Sequence, residues 1–199
     1  MMLIEETTFA DAALPVEEFK AHLKVGTGFA DDTLQDETLI SFLRAAIAAI
    51  EARTGKALLE RNWAWTIHDW RNAEGEAFPV APVGAIAEVV RTDVDGDDEA
   101  LSLSLVRIEA DMHRPLLRPR GTLLPGVPTG GSMTVRFSAG ISADWAGLPA
   151  DLRHAVLMLA THYYEYRDDT ALSDGCMPFG VTSLIQRYRS TRLTMGAGQ

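Results

Sequence analysis

Two periods of apolar residues run through this chain: a helical one near both ends and an alternating one in the middle. In residues 148–169, LPADLRHAVLMLATHYYEYRDD, Leu152, Ala155, Val156, Leu159, Tyr163 and Tyr166 recur at helical spacing and form one stripe. Leu157, Ala160 and Tyr164 form a second stripe roughly opposite, and a helix apolar on two sides must be covered on two sides. One cover is the chain's own core and the other is expected to be a neighbouring copy, so Leu157, Ala160 and Tyr164 are candidate subunit-packing residues. Pro149 suits the first turn, where its missing N–H has no partner to lose, and Asp151 complements the positive end of the helix dipole.

Ahead of it, residues 15–24 predict a short helix with Val16, Phe19 and Leu23 on one face, ended by Gly26 and Gly28. A longer helix is predicted from about Thr33 to Arg53, with Leu39, Ile40, Leu43, Ile47 and Ile50 as its apolar face. Thr33 and Asp36 have the spacing of a capping box, Gly55 is a C-terminal stop, and Ala45, Ala46, Ala48 and Ala49 permit close helix contact. From Asn62 the period falls to two. Trp63, Trp65 and Ile67 alternate with polar or small residues, as do Leu101, Leu103 and Leu105, and Met133, Val135 and Phe137. Residues 86–92 are apolar and β-branched, Asp95-Gly96 marks a hairpin turn, and the two prolines of FPVAPVG at 78–84 make that stretch an extended connector. Residues 112–132 hold Pro115, Pro119, Pro125, Pro128 and paired glycines and read as a long irregular loop. After a Gly/Pro-punctuated stretch at 171–180, Val181, Leu184, Ile185 and Tyr188 predict a short last helix. The expected fold is therefore α+β: an antiparallel bundle of about four helices from residues 1–61 and 141–199, with a small antiparallel sheet inserted at 62–140.

Composition narrows the class. At 199 residues, 47% hydrophobic and 23% charged, the chain can bury a sizeable core. The single cysteine, Cys176, excludes an internal disulfide and fits a reducing compartment. The opening MMLIEETTFADAAL is acidic where an export signal is basic, so none is expected, and no apolar run approaches the length of a membrane span. The formal charge is −10, with nine acids in residues 1–37 against Lys20 and Lys24, whereas residues 175–199 hold Arg187, Arg189 and Arg192 and no acid. That balance argues against tight nucleic-acid binding, which depends on cations meeting phosphates. The acidic third reads as a solvated surface, or as one that repels nucleic acid or meets a basic partner.

Candidate chemistry is thin. Asp93–Glu99 places its glycine at the fourth position, where an EF-hand loop needs it at the sixth, so a solvated hairpin tip is the better reading. His154 and His162 are eight apart, and the order His162-x-x-Glu165 is the reverse of a di-iron helix motif. Cys176 has no adjacent activating motif, and the chain lacks P-loop, dinucleotide and nucleophile-elbow signatures. No cofactor or metal is expected. Trp63, Trp65, Trp70 and Trp145 lack the accompanying basic residues of a base-stacking platform and read as core. SLIQRYRSTRL at 183–193 is a stronger candidate, because Arg and Tyr are enriched at binding hot spots; the alternative is an ordinary solvated terminal helix.

The ordered set of segments resembles the head–tail connector (adaptor) proteins of long-tailed phages, and equally those of gene transfer agents, phage-like particles that package host DNA. It comprises VEEFKAHLKV at 16–25, DDTLQDETLISFLRAAIAAIEARTGKAL at 31–58, Pro82-Val83, then Phe137, Ala139 and Gly140. LPADLRHAVLMLATHYYEYRD from residue 148 follows, and P-x-G-V-x-x-L-I-x-x-Y-R from Pro178 to Arg189 closes it. The resemblance implies a structural protein, not an enzyme. Such a protein is made in the bacterial cytoplasm and built into the virion as a ring, usually a dodecamer, beneath the portal protein, with DNA passing through unread. A next connector, stopper or tail protein would bind the far side. It also implies portal docking through the C-terminal segment, which maps onto Val181, Leu184, Ile185, Arg187, Tyr188, Arg189, Arg192 and Leu193. The competing classes are a DNA-packaging accessory, which predicts salt-sensitive DNA affinity, and a small metal- or thiol-dependent enzyme.

Overall fold

The computed structural model describes residues 1–23, 35–167 and 177–189. In chain order its elements are β1 (Met2–Glu5), α1 (Val16–His22), α2 (Asp36–Thr54), β2 (Arg61–Ile67), β3 (Glu76–Ala77) and β4 (Val83–Thr92). Then come β5 (Asp98–Ala100), β6 (Val106–Glu109), β7 (Leu116–Pro119), β8 (Ser132–Ala139), α3 (Ala150–Glu165) and α4 (Phe179–Ile185). The chain is α+β, with four α-helices and antiparallel sheets among the described residues.

The helices form where apolar residues repeat every three to four positions, and their stripes meet in one core. Leu39, Leu43, Ala46, Ile47 and Ile50 of α2 and Leu152, Ala155, Val156 and Leu159 of α3 are each at most 2% exposed and share one hydrophobic cluster. Phe19 of α1 and Val181 and Ile185 of α4, wholly buried, close the same cluster. At Gly55 the backbone turns to φ +68°, and its amide bonds to the Glu51 carbonyl at 2.8 Å, which stops α2. Thr33, half of the expected capping box, lies outside the described residues. The N-cap position is taken by Gln35 without a side-chain cap, and Asp36 and Glu37 in the first turn complement the dipole.

A five-stranded antiparallel sheet runs in the order β1-β2-β8-β4-β5, and a second, three-stranded sheet in the order β3-β7-β6. Alternation puts Met133, Val135, Phe137 and Ala139 of the central β8 on the buried face, opposite Ile67, Trp65, Trp63 and Arg61 of β2. Phe78, whose ring lies 5.5 Å from Trp65 and 4.9 Å from Phe137, fills the space over that face, and Leu117 of β7 joins the cluster.

Three expectations need correction. First, the sheet structure is larger than a small insertion, and it recruits the N-terminus: β1 pairs with β2 from Met2↔Thr66 to Glu5↔Trp63. Four residues are too few for alternation to show in sequence. Second, Leu101, Leu103 and Leu105 do not form a strand. The Leu101 amide still reaches the Val89 carbonyl at 2.8 Å, but Ser102 Oγ then accepts the Ser104 amide. The chain winds into a 3-10 turn at Leu103–Leu105, leaving those two leucines 43% and 45% exposed. Third, residues 112–132 are not wholly irregular, because β7 pairs with both β3 and β6. Its proline sits at the strand end, where a missing N–H is tolerated.

Helices and sheet are tied where α2 leaves for β2. The Glu51 carboxylate accepts the Leu58 amide at 2.7 Å through one oxygen and the Arg61 guanidinium at 2.7 Å through the other. Arg61 also lies over the rings of Phe9 and Trp63. Burial pushes the Glu51 carboxyl above its ordinary range, with Arg61 and the Leu58 amide pulling it back. At the far end of β8, Gly140 crosses the backbone of Leu59 and Glu60 so closely that an added Cβ would lie 2.3 Å from Glu60 Cα.

Candidate docking surface

Residues 177–189 pack on the helical core and belong to the acid-free stretch 175–199. Pro178 caps α4 with extended backbone, and the Thr182 amide bonds back to the Pro178 carbonyl at 3.0 Å. The inward face of this segment is Val181, Ile185 and Tyr188, all buried against the α2–α3 core. They were expected to dock a partner; instead they hold the segment to its own chain, as residues at i, i+4 and i+7 of an amphipathic helix do.

Arg187 is exposed, and it pairs within the chain. Its Nε lies 2.9 Å from one Asp151 oxygen and its Nη2 3.1 Å from the other, and the guanidinium stacks over the Tyr188 ring. The Tyr188 hydroxyl donates to Asp151 at 2.9 Å, and burial pushes the phenol above its ordinary value. Asp151, in the first turn of α3, thus pins the end of the segment as well as facing the helix dipole. Of the remaining docking candidates, Leu184 and Arg189 are half-buried, with Arg189 within 3.3 Å of Gln186 Oε1. Arg192 and Leu193 lie outside the described residues.

The segment has one prominent exposed apolar group that sequence reasoning passed over. Phe179 is 88% exposed, more than any other large apolar residue described. The signal was available: Phe179 lies about 200° around a helix from Val181, off the stripe that Val181, Ile185 and Tyr188 define.

The subunit-packing candidates divide in the same way. Leu157 and Ala160 are buried within the chain's own helical core. Tyr164 keeps surface, standing edge-on to Phe42 at 6.0 Å and under Arg167.

The other candidates are structural. In the acidic hairpin, Asp93 Oδ1 accepts the amides of Asp95 and Asp97, Thr92 bonds Asp98, and Arg91 pairs with Glu99. Gly96 takes φ +89° at the turn. His154 stands edge-on to His22 at 6.0 Å, and no group of three or more His, Cys, Asp or Glu among the described residues converges as a metal site. Cys176 lies outside the described residues. Trp65 and Trp145 are buried, and Trp63 and Trp70 are half-buried within the packing of the sheet cluster. No described helix is long and apolar enough to cross a membrane.

No family model and no curated protein matches the chain. Solved structures do. A chain from the neck of an empty gene transfer agent particle, computed with sixfold symmetry, is 44% identical with a TM-score of 0.89, over 98% of this chain and 99% of that one. A chain from the virion of a native gene transfer agent particle is 44% identical with a TM-score of 0.87 over the same shares. A chain from the neck of a native particle, computed with twelvefold symmetry, is 41% identical with a TM-score of 0.84, again over 98% and 99%. These are structural components of assembled particles, not enzymes.

Proposed function

Because the chain belongs to the family of neck proteins of gene transfer agent particles, we propose that it is the head–tail adaptor of such a particle or of a related phage. Copies form a ring, a dodecamer, beneath the portal protein, join capsid to tail through a next connector or stopper, and line the channel through which DNA leaves. The observation that carries this reading is the near full-length likeness to a chain of a neck with twelvefold symmetry. The helices act as the connector core, from which the two sheets project.

The chemistry of the chain supports the role. A net charge of −10 lets DNA slide past without being held, since phosphate binding would oppose passage. Docking on the portal falls to the groups of the last segment that the core does not consume: Leu184, Arg189, Arg192 and Leu193. Contact between copies falls to Tyr164 and not to Leu157 or Ala160.

The test is co-purification with the portal. Arg189→Glu with Arg192→Glu, leaving Arg187 in place, abolishes portal binding while the thermal unfolding midpoint stays close to that of the parent chain. Undiminished portal binding by that folded variant refutes the assignment.

A further inference from the structure

On the described surface the most exposed aromatic is Phe179, and a shallow, open apolar depression of about 500 Å³ lies between α1, α2 and the turn before α3. Its floor is Leu14, Ile40 and Trp145, and its rim is Glu17, Glu18 and Asp36. Lys20 pairs with Glu17 at 3.0 Å and with Asp36 at 2.7 Å. Glu18 receives only the Trp145 indole N–H, at 2.8 Å, and meets no cation among the described residues. Residues 177–189, which carry Phe179, have Arg187 and Arg189 and no acid.

A rotationally symmetric ring needs a heterologous interface, in which two unlike patches on every copy fit each other in sequence around the axis. Related necks have such symmetry. Resting on the adaptor reading above, we propose that Phe179 of one copy seats in the Leu14–Ile40–Trp145 groove of the next. Arg189 of the acid-free segment then faces Glu18, the rim carboxylate that meets no cation among the described residues. An aromatic anchor in an apolar hollow with a charged rim is the arrangement in which a few residues carry most of an interface's affinity. Phe179 lies on a different side of α4 from Leu184, so one short helix serves the neighbouring copy with one side and the portal with the other.

The test uses full-length chains in a Cys176→Ser background, one carrying Phe179→Cys and the other Ile40→Cys, mixed and assembled on the portal under mild oxidation. The expected product is a disulfide-linked dimer from the mixture and none from either chain alone. Phe179→Ala, which leaves the buried face of α4 intact, raises the concentration needed for ring assembly at least tenfold while thermal stability is retained. Rings that form on the portal without the mixed cross-link, or with Phe179→Ala assembling normally, overturn this inference alone. A Phe179→Cys cross-link to the portal overturns it in favour of portal docking. Absence of any ring on the portal overturns the adaptor reading together with it.

Discussion

Lys56 is 1% exposed where the chain passes from α2 to β2; its backbone amide donates to the Thr54 hydroxyl at 3.3 Å, but its ammonium makes no hydrogen bond or ion pair with another described residue. Burial pulls its ammonium below the ordinary 10.5, with Asp111 opposing from a distance. A partly desolvated ammonium without a partner is a cost that the four-carbon stem's packing offsets. Lys56→Met keeps the packing and removes the charge, and it is expected to raise stability at pH 7 by about 1 kcal/mol, read by urea unfolding. The sign with pH is fixed. The unfolded chain holds this proton more tightly, so wild-type stability rises with pH between the lowered folded value and 10.5, and the advantage of the variant shrinks there. Glu51 has the opposite history: its carboxyl is also buried, but Arg61 and the Leu58 amide meet it. Nothing in the order of residues 51–61 distinguishes the two, because whether a charge is met depends on how α2 and β2 are brought together.

Elements were legible where a long apolar period spoke for itself. The spacing of Leu39 to Ile50 and of Leu152 to Leu159 placed α2 and α3, and the alternation of Met133, Val135 and Phe137 placed β8. The two stretches that misled did so through local chemistry. Serines at 102 and 104 offered the backbone a turn that the leucine alternation concealed, and prolines at 115 and 119 hid a four-residue strand held by partners on both sides. The Phe137, Ala139, Gly140 ending was visible as a pattern, but its cause was not. Gly140 passes Glu60 with no room for a methyl group, and its amide reaches the Pro82 carbonyl at 3.1 Å. Gly140→Ala is therefore expected to cost about 2 kcal/mol or more as backbone must shift against backbone, seen as a lowered urea midpoint with unchanged slope. A neutral outcome would mean that the end of β8 is free to move away from β2.

At the scale of the molecule, the resemblance in sequence reached further than the residue-level reading of docking. Val181, Ile185, Tyr188 and Arg187 looked available because a terminal helix was judged without its core. Folding turns the first three inward and pairs the fourth, still exposed, with Asp151, so Phe179, Leu184, Arg187 and Arg189 keep surface on this segment. Periodicity locates a stripe but does not say what covers it; Leu157 and Ala160 lie buried in the chain's own helical core. Charge reads through more directly, since net acidity and an acid-free end need no fold to be seen. On the function proposed above, copies of this chain close into a ring on a portal. Electron microscopy of the full-length protein mixed with its particle's portal measures it directly. The expected image is a twelvefold ring seated on the portal with an open central channel. Portal left bare at saturating protein, or single copies bound without closure, would contradict it.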